Sequence, residues 1–369
     1  MSYHKLFSRL RLALMGSLLL ISSLPGAHAQ EGSNTPLTSQ ELVHLVYQLP
    51  AHPEKRDEIV EEIRKRGIGF PLTDGLRSVV ASKSGNDVLL RRTLEEAERR
   101  RLNPVAASLP PEAEARDLLD KARVVTLAAS EAMPDFIVKQ QITRSRAFGS
   151  TNNWVTLDRL TIAVSYRASA GEEYKLLAIN GLPPSKEVRE GKSYEEVGGT
   201  SSTGEYVTML ALLFNEATHA EFKPVDTDTL RGRRTIVYEF EVKLPYSKQT
   251  IKAGGAGVDE QAVTTGYRGR IWVDRESYRV LRIEDVSTDI PAGFPVTAAS
   301  SRIDYDWVTI NERPYLLPSE AEIKLTAAVG NNQSIQTRNE IRFRNYQKFG
   351  AEVKIIEDIG DEDEPPKKP

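Results

Sequence analysis

The chain has 369 residues, of which 27% are charged and none is cysteine, and its formal net charge is −3 at pH 7. The lack of cysteine excludes a disulfide framework, a thiolate metal site, a catalytic thiol and a lipid anchor on an N-terminal cysteine. The slightly acidic balance does not indicate a nucleic-acid partner.

Residues 1–29 have the three parts of a secretory signal peptide: basic Lys5, Arg9 and Arg11, apolar Leu12–Ile21, and an A-x-A site at Ala27–Ala29. The apolar stretch is shorter than the roughly 20 residues that span a membrane. We therefore expect cleavage after Ala29, a periplasmic or secreted location, and no transmembrane segment after cleavage. The mature chain would carry a formal charge of −6, because the signal contains three bases and no acid.

Residues 30–103 predict a small helical module with four short helices. Thr38 and Glu41 form a capping box, and Gly67 is a favourable residue after the second helix. Thr73 and Asn86 are candidate N-caps for the third and fourth helices. The charge run at 95–101 is typical of a solvated helix face, with a binding surface for an acidic partner as the alternative.

Residues 104–111 form a proline-containing linker, and residues 112–356 predict a large β-domain that opens with a helix near 112–133. Apolar side chains, with Gln140 as the exception, then occupy every second position at 136–142, 160–166, 236–244 and 321–327. Such alternation indicates antiparallel strands with one buried face. The clearest case is a hairpin with strands at 267–274 and 278–285, joined at Arg275–Ser277.

A second helix is expected near 202–215, where Ser202 and Glu205 form a capping box before an almost wholly apolar run. We expect it to lie in the concavity of a curved sheet. The acidic tail at 357–369 has too little apolar content to fold and is predicted to be disordered. The fold class is therefore α+β: an N-terminal helical bundle and a large curved antiparallel sheet, or incomplete barrel, with packing helices.

The sequence offers few groups for chemistry. The mature chain has three histidines, and none is spaced from another as metal ligands are. The glycine-rich loop at 198–204 fits neither a serine-nucleophile nor a phosphate-binding motif. Paired carboxylates occur at Asp226 with Asp228 and at Asp304 with Asp306, and we interpret them as structural groups beside basic neighbours. No metal, no cofactor and no catalytic residue is predicted.

Residues 112–350 resemble the periplasmic lipoprotein-carrier fold, the LolA-like and RseB-like group. The resemblance rests on the helix that runs into Asp135–Lys139, on Gly269–Asp274 with its partner Val280–Glu284, and on a late strand ending at Leu316–Pro318. The chain also resembles uncharacterised exported bacterial proteins that join a helical segment like Ile63–Phe70 to this β-domain. The resemblance implies a hydrophobic cavity between sheet and helices that holds acyl chains or a lipidated peptide. It carries over no individual binding residue.

The leading hypothesis is an exported, non-enzymatic binding protein that holds a lipid or a lipoprotein acyl chain in a half-barrel cavity. Its partner would be a hydrophobic small molecule or a lipidated protein, with no nucleic acid. The predicted ligand-binding residues are Tyr206, Met209, Leu213, Tyr238 and Phe240. One alternative is an envelope interaction or sensory module with a closed core and a protein partner. Another is an exported hydrolase.

Overall fold

The computed structural model describes residues 35–104, 108–149, 153–184, 208–255, 258–329 and 333–349. The signal peptide at 1–29, the capping box of Ser202 and Glu205, the glycine-rich loop at 198–204 and the tail at 357–369 lie outside these residues. The protein is α+β, with a large antiparallel sheet that does not close and a few helices. The helical module and the sheet belong to one compact unit. Among the described helices, none is long and apolar enough to cross a membrane.

Four helices form the N-terminal module: α1 (Ser39–Gln48), α2 (Arg56–Arg66), α3 (Asp74–Lys83) and α4 (Val88–Leu102). They share a core that includes Leu42, Ile59, Ile63, Leu90 and Leu94. The capping box of Thr38 and Glu41 and the cap at Thr73 are confirmed.

The start of the fourth helix differs from the prediction by one residue. Asp87, not Asn86, accepts the hydrogen bond from the Leu90 amide, at 2.8 Å. Asn86 has φ +62°, whereas an N-cap residue takes an extended conformation. The helix therefore begins one residue later than the sequence pattern indicates.

Ten strands form one antiparallel sheet in the order β3-β2-β1-β12-β11-β10-β9-β8-β5-β4. The first strand, β1, thus pairs with the last strand, β12, and β3 and β4 are the two edges. The bounds of the ten strands are β1 (Phe136–Phe148), β2 (Val155–Arg167), β3 (Gly171–Ile179), β4 (Glu221–Leu230), β5 (Arg233–Val242), β8 (Gly266–Asp274), β9 (Val280–Thr288), β10 (Val296–Ile310), β11 (Arg313–Ala328) and β12 (Ser334–Lys348).

The hairpin predicted at 267–285 is confirmed as β8 and β9. The strand predicted to continue through Leu244 is wrong: β5 ends at Val242, and Leu244–Tyr246 is a short 3₁₀ helix. Pro245 explains the difference, because proline has no N–H to donate to a strand ladder. The remaining strands, β6 (Thr250–Gly255) and β7 (Val258–Thr264), pair with each other in a separate two-stranded sheet.

Two helices pack on one face of the large sheet, which we call the core face. Helix α5 (Glu112–Glu131) presents Ala115, Leu118 and Ala122, spaced three and four residues apart on one stripe. Helix α6 (Met209–Phe214) adds Leu210, Leu213 and Phe214. These side chains and the core-facing residues of the strands form the main hydrophobic core.

The opposite face, which we call the outer face, contacts the helical module. A guanidinium nitrogen of Arg100 in α4 lies 2.6 Å from a carboxylate oxygen of Asp226 in β4. Arg270 in β8 donates two hydrogen bonds of 2.8 Å to Glu61 in α2. Glu96 is buried. The prediction of a solvated face for the charge run at 95–101 is therefore wrong for Glu96 and Arg100, which contribute to this contact.

Candidate functional site

The structure brings four of the five predicted ligand-binding residues into one core. Leu213 and Tyr238 have no exposed surface, and Phe240 is 3% exposed. Met209 is partly buried and packs against the same core, whereas Tyr206 lies outside the described residues. The Tyr238 hydroxyl donates a 2.6 Å hydrogen bond to the carbonyl of Ala115 in α5, and burial raises the pKa of Tyr238.

The space beside Met209, Leu213 and Tyr238 is small. One cavity at Met209, Tyr246 and Tyr267 has a volume of about 40 Å³, and a second, at Leu210 and Tyr305, also has about 40 Å³. Ligand pockets usually have volumes of roughly 300–1,000 Å³. With α6 in this position, an acyl chain has no access to Leu213 or Tyr238. A ligand would reach them only after α6 moved away from the sheet.

The strand register arranges the core-facing side chains in lateral rows across the sheet. One row is apolar in every strand from β5 to β2: Tyr238, Ile271, Ile283, Ile303, Ala321, Ile341, Ile142 and Leu160. A second row lies two residues away on each strand, toward the C-terminal end of β1. Five of its residues are polar, and we call them the polar row: Asp285, Ser301, Asn339, Arg144 and Asp158. The core face therefore changes from apolar to polar within one pleat.

The polar row is buried and internally bonded. Arg144 donates a 2.7 Å hydrogen bond from Nε to Asp158, and both side chains are largely buried. Asp285 accepts hydrogen bonds from Ser301 and, at 3.3 Å, from Gln249. Burial raises the pKa of Asp285 to about 6, and these two hydrogen bonds oppose the shift. Buried polar groups are costly unless they are hydrogen-bonded, so these contacts hold the row in place.

The sequence analysis did not identify the polar row, although a signal for it exists. Phe136, Val138 and Ile142 set the core-facing phase of β1, and Arg144 continues that phase. A charged residue at an apolar position of an alternating strand indicates a buried ion pair, because an unpaired charge there would be strongly destabilising. The partner, Asp158, occupies the paired position in β2.

Beyond the polar row, the core face carries apolar residues interspersed with Thr337 and Arg146, and it is only partly covered. We call this region the upper surface and define it by Phe148, Ala299, Leu325, Ala327 and Ile335. Four of these residues are half-buried and Phe148 is exposed. None of the five belongs to the core around α5 and α6. On β10, β11, β12 and β1, the core face is thus closed on the side of the polar row that contains Ile303 and Ile142, which we call below. It is accessible on the other side, which we call above.

Two larger clefts lie on the outer face. The first, of about 820 Å³, separates α2 from the sheet. Its lining combines charged residues, such as Arg56, Glu61 and Arg268, with apolar residues that include Phe222 and the predicted ligand-binding residue Phe240. The second, of about 660 Å³, crosses β10, β11, β12, β1 and β2, and its lining includes Lys139, Arg159, Glu320 and Arg342. Both clefts present charges of both signs.

The carboxylate pairs singled out in the sequence are tied to basic or donor groups within the described residues. Asp304 accepts two 2.7 Å hydrogen bonds from Arg282. Asp228 accepts a 2.8 Å hydrogen bond from the indole of Trp272 and also lies 3.7 Å from Arg92. In the part of the chain that the structure describes, no group of three or more His, Asp or Glu side chains could hold a metal ion.

No protein-family model matches the chain, and no curated protein does. Several solved structures are similar to it, two of which are described here. A DUF1329 family protein from Desulfovibrio piger shows 10% identity and a TM-score of 0.29, with 66% of this chain and 97% of that chain covered. Lipovitellin, whose structure describes lipid–protein interactions, shows 12% identity and a TM-score of 0.25, with 60% of this chain and 26% of that chain covered. Both TM-scores are low, so neither similarity indicates what this chain binds.

Proposed function

We propose that this protein is an exported, non-enzymatic binding protein that holds a hydrophobic ligand, a lipid or the acyl part of a lipoprotein, in a half-barrel. The observation that carries the proposal is the upper surface. Leu325, Ala327 and Ile335 face the same side as the closed core, yet they are only half-buried. A core-facing apolar surface that its own helices leave accessible is a suitable site for an apolar ligand.

The polar row sets the depth to which such a ligand enters. An acyl chain on the upper surface would gain roughly 25 cal/mol for each Å² of apolar area removed from water. Deeper entry would displace the hydrogen bonds of Asp285 and Arg144 without replacing them, which is unfavourable. The ligand would therefore extend from the polar row toward Phe148 at the open end of the sheet. Met209, Leu213 and Tyr238 would remain packed in the closed core. Phe240 lies level with the polar row, since it pairs with Gly269 and Gly269 pairs with Asp285.

Two adjacent alanines in β10 allow a matched test. Ala299 pairs with Leu325 and faces the upper surface, whereas Ala298 pairs with Thr326 and faces the opposite side. Ala299→Trp would fill the site, so we expect it to weaken binding of a dansyl-labelled fatty acid by roughly tenfold or more, as overpacking excludes the chain. Ala298→Trp adds the same indole on the outer face and should leave the affinity unchanged.

The measurement is a fluorescence titration of the mature protein, with circular dichroism to confirm that both variants fold. Native mass spectrometry after mild extraction gives a second readout, a co-purified lipid in the wild type that is lost in Ala299→Trp. Absence of both the co-purified lipid and the fatty-acid binding in the wild type would count decisively against a hydrophobic ligand. Equal effects of the two tryptophans would place any binding elsewhere.

A second function, interaction with an envelope protein, is favoured by the cleft of about 820 Å³ beside α2. Its walls carry charges of both signs beside apolar patches, a combination that suits a protein surface with complementary charges. A photo-crosslinking amino acid at Arg268, in the cleft, would then give one protein product in cells. The same amino acid at exposed Arg313, at the far end of β11, serves as the control. If no crosslinked product formed at either position, this second function would be rejected.

A further inference from the structure

Large apolar side chains are exposed at one end of the sheet. We call it the upper end, where β1, β3, β9 and β11 finish and β2, β10 and β12 begin. Phe148 is 60% exposed, Val155 59% and Leu182 70%. Together with Leu157 and Val329, which are also exposed, these residues form what we call the upper rim. They lie on adjacent strands, since Phe148 pairs with Ile335 in β12 and Val155 pairs with Arg146 in β1.

Three of the chain segments that meet at the upper rim are almost free of charge. Residues 286–299 contain one charged side chain, residues 325–337 contain none and residues 145–157 contain one, in a chain of which 27% is charged. The turns at the lower end of the sheet, by contrast, are rich in charged residues. Its turn at 273–280 contains four charged residues and its turn at 230–234 contains three arginines. A surface that combines exposed apolar side chains with almost no charge usually marks a contact site.

Two arginines stand directly beside aromatic rings at this end. The guanidinium of Arg338 lies 4.6 Å from the ring centre of Trp154, and that of Arg146 lies 5.5 Å from the ring centre of Phe148. Aromatic rings at the level of lipid headgroups, with arginines that reach the phosphates, are typical of protein segments at a membrane interface. These contacts favour a lipid surface as the partner. The exposed apolar side chains match the acyl chains, and the positive charges of Arg146 and Arg338 complement the lipid phosphates.

We propose that the upper rim inserts into the interface of a lipid bilayer, with Phe148, Val155 and Leu182 among the acyl chains and Arg146 and Arg338 at the phosphates. Insertion by apolar burial does not depend on salt, unlike adsorption through basic patches. A second copy of this chain would more readily pair along the free edges β3 and β4 than at strand ends, where the backbone turns. The proposal does not rest on ligand binding at the upper surface.

The first test is flotation of the mature protein with phosphatidylcholine vesicles at low and high salt. We expect the wild type to float at both salt concentrations. In the double variant Phe148→Asp with Val155→Asp, partitioning into vesicles should fall by roughly tenfold or more, because two apolar side chains are replaced by charges. Trp307→Asp is the matched control, since Trp307 is 43% exposed near the lower end of β10 and should be dispensable for flotation.

Tryptophan quenching supplies a second readout that does not depend on an aspartate variant folding. Vesicles with brominated acyl chains should quench the wild-type fluorescence, Trp154→Phe should lose most of that quenching, and Trp307→Phe should retain it. A folded wild type that neither floats nor is quenched would overturn the proposal. The proposal would also be overturned if light scattering showed a dimer of the wild type that Phe148→Asp dissociates. A second copy of the chain would then cover the rim. Flotation that high salt abolishes would also contradict insertion.

Discussion

The two ends of the ten-stranded sheet share the same strands and the same period-2 alternation, yet they differ in almost every other respect. Below the polar row, the core face is filled by α5 and α6, and the turns at 230–234 and 273–280 are charged. Above it, the core face is half-exposed and the hairpin tips carry almost no charge. In our proposal, the lower part supplies stability and the upper part contacts apolar partners.

The largest expected effect is on a buried ion pair of the lower part. Asp304→Ala removes the carboxylate that accepts both hydrogen bonds from Arg282 and leaves a buried guanidinium without them. We expect the free energy of unfolding to fall by about 3–5 kcal/mol, measured by urea denaturation. Asp306→Ala is the control, because its side chain is 52% exposed, and the change should be within about 0.5 kcal/mol. Equal effects would contradict the assignment of Asp304 to the stabilising part.

The next effect compares one large-to-small substitution on each side of the polar row. Ile283 is fully buried in the closed core, whereas Leu325 is half-buried on the upper surface. Ile283→Ala should lower the free energy of unfolding by about 2–5 kcal/mol, because it leaves a cavity that neighbouring residues fill only in part. Leu325→Ala should cost about 1 kcal/mol or less, since its surroundings already admit water. Similar values in urea denaturation would show that the upper surface is packed.

A structural feature could be predicted from the sequence where it depends on residues that are close together in the chain. The hairpin of β8 and β9 and the caps at Thr38 and Thr73 depend on neighbouring residues, and all were predicted. Asn86 was misassigned because its positive φ is set by the turn that precedes α4. The fold class was predicted in its coarse form, an α+β protein with a large antiparallel sheet.

The closed and open regions could not be separated by pattern. Ile283 and Leu325 alternate with polar residues in the same way, and only the position of α5 and α6 decides which of them is covered. The predicted ligand-binding residues Leu213, Tyr238 and Phe240 were chosen for their apolar character, which a closed core and a ligand site share. The polar row was accessible to sequence reasoning at Arg144, but its partners on four other strands depend on the non-local register.

A smaller effect, on the boundary between the two regions, depends on pH. Asp285 has an ordinary pKa of 3.8, and burial raises its pKa in the folded protein to about 6. Between these values the folded state holds more protons than the unfolded state, so the free energy of unfolding falls as the pH rises. Above about pH 6 the full penalty of about 3 kcal/mol is present. Asp285→Asn should therefore be more stable than the wild type at neutral pH, by up to that amount.

The measurement for Asp285 is urea denaturation of both proteins across the acidic to neutral range, because the difference between them cancels the other titrating groups. The stabilisation by Asn should disappear only as the pH falls below the ordinary pKa of 3.8, to about 3, where the wild-type carboxyl is protonated in both states. A stability difference that does not change with pH would mean that Asp285 is not buried in its charged form. The polar row would then be more open to water than its burial indicates.

The smallest effect concerns the glycines at two positions of β8. A Cβ atom on Gly269 would lie 1.9 Å from the carbonyl oxygen of Glu284 and 2.8 Å from the Cα of Asp285, both in the backbone of β9. At Gly266, nearer the upper end, the closest atoms at 2.6 Å belong to the side chains of Asp289 and Thr288, which can rotate away. Gly269→Ala should cost about 1–3 kcal/mol, because β9 must shift together with Asp285, and Gly266→Ala should cost less. The reverse order in urea denaturation would show that the upper end, rather than the polar row, is the rigid part of this strand pair.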